Sequence, residues 1–85
     1  MGGFKPEDCR GKVKEGGTVA IVTRLNAHWN EALGTNPYKA PIYSRAMSYL
    51  ALQNWSSFCD DEPALEALLL VVGEVVEENR KVSLV

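Results

Sequence analysis

From Thr18 onward, apolar residues recur every three or four positions: Val19, Val22, Leu25, Trp29, Ala32 and Leu33. That spacing places side chains on one stripe of an α-helix. It predicts a first helix over 18–33, with the Thr18 hydroxyl able to accept from free first-turn amides and Gly34 suited to the left-handed residue past the end. The competing expectation is a strand at 18–23, where β-branched residues crowd behind Gly16-Gly17. Pro37 holds Asn36 out of the helical region and makes 35–40 a connection, and Pro41 fits the first turn of a second helix over 40–56. Ile42, Ala46, Tyr49, Leu50 and Gln53 share its face, and Trp55 and Phe58 add large apolar area at its end.

Asp60-Asp61-Glu62-Pro63 has the composition of a helix start, because an Asp can cap the free amides and the acidic cluster suits the positive end of the dipole. A third helix over 62–79 follows, with Leu65, Leu68, Leu69, Val72, Val75 and Val76 on its main face and Arg80 and Lys81 closing it. Residues 1–17 hold five glycines and Pro6, with Phe4 and Val13 as the anchors. Both residue types disfavour regular structure, so this stretch is expected to be an irregular arm. The expected fold is all-α: a three-helix, bundle-like domain over 18–85 preceded by that arm.

Ala67, Leu70 and Val71 extend apolar character to the far side of the third helix. For about two turns it is greasy nearly all round, and each exposed Leu or Val forgoes roughly 1.5–3 kcal/mol available on burial. Two partner helices cover only part of such a surface. The expectation is therefore a homo-oligomer, a dimer first of all, contacting through Ala67, Leu70, Val71 and Glu74. The alternative is that Phe4, Val13 and the apolar residues 82–85 wrap over that face within one molecule.

Composition narrows the function more than the fold. Eighty-five residues and 9.4 kDa make a single domain of modest stability. A 46% hydrophobic and 24% charged content is that of a folding chain. The net charge of −2 argues against a protein whose main task is neutralising phosphates. Charge is unevenly laid out: residues 1–45 hold seven Lys/Arg and four Asp/Glu, residues 46–85 two and seven. The two halves should therefore attract. Cys9 and Cys59 are too few for a disulfide scaffold and lack zinc spacing. Thiols of this kind, an N-terminal stretch without an apolar core and a longest apolar run of six residues, Ala67 to Val72, give the cytoplasm as the expected location.

Candidate chemistry is sparse. His28 and Glu31 lie one turn apart, but two ligands on one helix do not complete a metal or acid–base site. Cys59 sits among Asp60, Asp61 and Glu62, which disfavour a thiolate. That acidic run lacks the alternation and central glycine of a calcium loop. No catalytic residue, metal site or cofactor is expected, and the function predicted is that of a non-catalytic interaction or regulatory domain. Two alternatives have named residues. Lys5, Arg10, Lys12, Lys14 and Arg24 are the cations that could meet nucleic acid. Trp29, Tyr38, Tyr43, Met47 and Trp55 are the side chains that could line a small-molecule pocket.

Overall fold

The computed structural model describes residues 4–83. The chain forms five helices, α1 (Pro6–Gly16), α2 (Thr18–Thr35), α3 (Ala40–Ala51), α4 (Trp55–Asp60) and α5 (Glu62–Ser83). No strand occurs among the described residues, so the β-branched run at 18–23 is the first turn and a half of α2.

The expected irregular arm is instead helix α1. Pro6 stands in its first turn, and the Lys5 amide donates to the Asp8 carboxylate at 3.2 Å. Cys9 and Val13, one turn apart, are buried. The local cost of Gly11 is met by tertiary packing, since that face of α1 lies on α5 and α4. Gly16 and Gly17 are the corner, not a loose loop. Gly17 takes φ 92°, a left-handed conformation that favours glycine. A Cβ on Gly16 would stand 2.9 Å from Ile21 Cδ1, so the bare backbone lets α1 and α2 meet closely.

The expected second helix breaks in two. Gln53 has φ 53°, the Asn54 amide donates to the Tyr49 carbonyl at 2.9 Å, and the Gln53 amide donates to the Leu50 carbonyl at 3.1 Å. This is the Schellman pattern that ends a helix. Asn54 then caps α4, its side chain accepting from the Ser57 amide at 3.3 Å. At α2, Gly34 lies inside the helix and Asn36 is the C-cap.

α5, 22 residues long, touches each of the other four helices. Leu65, Leu68 and Val71 are fully buried, together with Ile21 and Leu25 of α2, Phe58 of α4 and Cys9 of α1. The helix that was too apolar for two siblings to shelter thus gains further cover from α1 and α4, elements absent from the three-helix expectation, beside that from α2 and α3. The molecule measures 37 × 33 × 21 Å. Its least dimension is about two helix diameters.

Candidate functional site

The charge asymmetry of the sequence is realised as pairs between the halves. Arg24 of α2 lies 3.7 Å from Glu74 and bonds Glu78 of α5. His28 Nε2 stands 2.7 Å from Glu74 Oε1, and since a carboxylate only accepts, Nε2 carries the proton. The imidazole stacks on Tyr43 of α3 with centroids 5.4 Å apart. Glu74, not Glu31, is therefore the partner of His28. The arrangement clamps α2 and α3 onto α5.

A second node forms where α3 meets the start of α5. Asp61 accepts from Arg45 Nε at 2.7 Å, Arg45 Nη2 at 3.2 Å, the Tyr49 hydroxyl at 2.8 Å and the Ala64 amide at 3.3 Å. One carboxylate thus caps α5 and ties it to α3. Hydrogen bonding from Arg45 leads the causes that hold its pKa down to about 2. Hydrogen bonding to Asp61 in turn raises Arg45 and Tyr49 above their ordinary values.

The Cys9 and Cys59 thiols are free and meet where α1 lies on α4. Burial, then the neighbouring Cys59 thiol, pushes Cys9 up to about 12. A thiol so protonated is a poor nucleophile. Among the described residues no group of three or more His, Cys, Asp or Glu side chains could hold a metal ion. No helix among them is long and apolar enough to cross a membrane.

The aromatic residues expected around one pocket disperse. Tyr43 lines an open groove of about 190 Å³ between α3 and α5, with Lys39, Ile42, Pro63, Glu66 and Leu70. Trp55 lines a different cleft of about 130 Å³ with Arg10, Lys14 and Gln53. Tyr38 stands exposed on the α2–α3 turn, Met47 is half-buried against the core, and Trp29 is half-buried on α2. Of the basic residues, Lys5, Arg10, Lys12 and Lys14 are exposed at or on α1 among Glu7, Asp8 and Glu15. Arg24 lies apart from them with its charge answered by Glu74 and Glu78.

Of the residues expected to make a self-association surface on α5, Ala67 and Leu70 line the α3–α5 groove together, and Val71 and Glu74 turn away from it. Val71 is fully buried and Ala67 nearly so, both inside the single chain. Glu74 faces His28. Leu70 alone of the four stays exposed, at 53%, on the α3–α5 groove.

A larger uncovered surface lies on α2, where sequence periodicity had merged two stripes into one. Ile21, Leu25 and Ala32 point into the core. Val19, Val22, Asn26, Trp29 and Leu33 form a separate strip roughly a third of a turn round the helix. Val19 is 80% exposed, Leu33 52% and Val22 39%. The signal was present in the spacing: 19, 22, 26, 29, 33 alternates steps of three and four independently of the inward set. No known family model, curated protein or solved structure matches the chain.

Proposed function

We propose that this chain is a non-catalytic interaction protein of the cytoplasm that works as a homo-oligomer, a dimer first of all. The observation that carries this is the apolar surface left over once α5 has been covered. Val19, Val22 and Leu33 stand exposed along α2 although the chain has apolar helices enough to bury a core. Isolated exposed apolar residues are ordinary, but a row of them along one helix is the mark of a contact surface. The ionisable clusters support the same reading from the other side. Asp61 with Arg45 and Tyr49, and Glu74 with His28 and Arg24, have their hydrogen-bonding capacity engaged in joining helices.

Sedimentation equilibrium tests the proposal. The expected result is an average mass that rises above the 9.4 kDa of one chain as concentration increases. A mass constant at one chain throughout overturns it.

A further inference from the structure

We infer that Cys9 and Cys59 form a dithiol switch: a small-molecule disulfide such as oxidised glutathione converts them to an internal bridge that staples α1 to α4.

The two cysteines of the chain stand fifty positions apart in sequence, and folding brings both to the contact between α1 and α4. Cys9 belongs to the buried core cluster, and Cys59 packs against that cluster from its edge. Burial aside, the group that acts most strongly on the Cys9 thiol is Cys59. A disulfide holds its sulfurs about 2.05 Å apart. Sulfurs that already share one packed contact have little distance to close, and α4, only six residues long, is a small body to shift.

The two thiols differ in access. Cys9 is 0% exposed, whereas Cys59 is partly open to solvent. An external disulfide, RSSR, therefore meets Cys59 first. The Cys59 thiol gives its proton to water, and the thiolate attacks one sulfur of RSSR; the S–S bond of RSSR breaks, Cys59–S–S–R forms and RS⁻ leaves. Cys9 then resolves the adduct. It loses its proton, its sulfur attacks Cys59 Sγ, and the second RS⁻ departs. The two RS⁻ take up the two protons released, so two protein thiols and RSSR become one protein disulfide and two RSH. The protein loses two electrons and RSSR gains them.

The first step prepares the second. Burial, and after it the neighbouring Cys59 thiol, keeps Cys9 protonated. Once Cys59 is held in a mixed disulfide it can no longer ionise, and its share of that hindrance is gone. The same access makes the bridge reversible, because excess thiol reaches the Cys59 sulfur and reopens it. While closed, the bridge encloses the whole of α2 and α3 in one covalent loop. A cross-link over so long a stretch removes freedom from the unfolded chain and favours the folded one.

The full chain, dilute enough to suppress bridges between copies, is equilibrated in mixtures of reduced and oxidised glutathione and read by mass spectrometry, peptide mapping and urea unfolding. The native chain is expected to lose two hydrogen atoms, to yield a cross-linked peptide pair holding Cys9 and Cys59, and to show an unfolding constant at fixed urea about tenfold or more below that of the reduced chain. Dithiothreitol should reverse all three changes. Cys59→Ser, altered at the accessible position, is expected to keep native helicity by circular dichroism and to stay unmodified, because its remaining thiol is buried. Cys9→Ala is expected to accumulate the glutathione adduct on Cys59, the first step caught without its second. A native chain that keeps both thiols in oxidised glutathione, or that stops at the adduct, overturns the pairing. So does a bridge that raises the unfolding constant, since α1 and α4 would then have to part to make it. If Cys9→Ala loses its helicity, the native chain and Cys59→Ser decide between these outcomes.

Discussion

Asp61 concentrates more structure than any other single side chain. It caps α5, receives both arms of Arg45 and accepts the Tyr49 hydroxyl, with its side chain only 16% exposed. Asp61→Ala removes cap and ion pair together and is expected to cost about 2–4 kcal/mol in urea unfolding. Asp61→Asn keeps a good capping residue but loses the charge, and so should cost less. The pH dependence has a definite sign. The carboxyl is held near 2 in the folded chain against an ordinary value of 3.8. Its contribution, about 2 kcal/mol, is complete above about pH 4 and fades as pH falls toward 2. Unfolding midpoints measured across that window should slope downward on acidification, and Asp61→Asn should flatten the slope. A native chain without the slope would mean that Arg45 does not hold the carboxylate.

At the scale of elements, the break between α3 and α4 turns on one residue in an unfavourable conformation. Gln53 occupies the left-handed position of the Schellman end without being glycine, which costs roughly 1 kcal/mol. Gln53→Gly is therefore expected to raise stability by about 0.5–1 kcal/mol, read as a higher urea midpoint with an unchanged slope. A lower midpoint would show that the Gln53 side chain contributes something its exposure hides. The same residue explains why sequence periodicity ran α3 and α4 together: the usual glycine marker of a helix end is absent, and Asn54 serves as the next N-cap at once. The start of α5 was legible because Asp61 and Pro63 are strong local signals. α1 was not, because its glycines oppose helix formation and the packing of Cys9 and Val13 that overrides them is long-range. Of the α2 strip, the residues were legible and the direction was not. Val19 and Leu33 fit a helical stripe from spacing alone, but which of two interleaved stripes faces inward depends on where α3 and α5 lie.

Taken whole, the molecule is a slab two helices thick arranged around α5. Cover for that helix is divided among four partners, so its stability is shared rather than local. Deletion of residues 1–17 uncovers the α5 surface under Cys9 and Val13 and is expected to abolish cooperative unfolding, leaving a broad, shallow denaturant transition. A shortened chain that still melted sharply would show α1 to be an accessory. The charge layout serves the same architecture: the basic half supplies Arg24 and Arg45, the acidic half Glu74, Glu78 and Asp61, and these pairs join separate parts of the fold. There is also a consequence in time. A ribosome makes α1 well before α5, yet the two lie against each other. The part of α1's greasy side that rests on α5 must wait, wet and unmatched, until that helix appears, so the native arrangement closes only late.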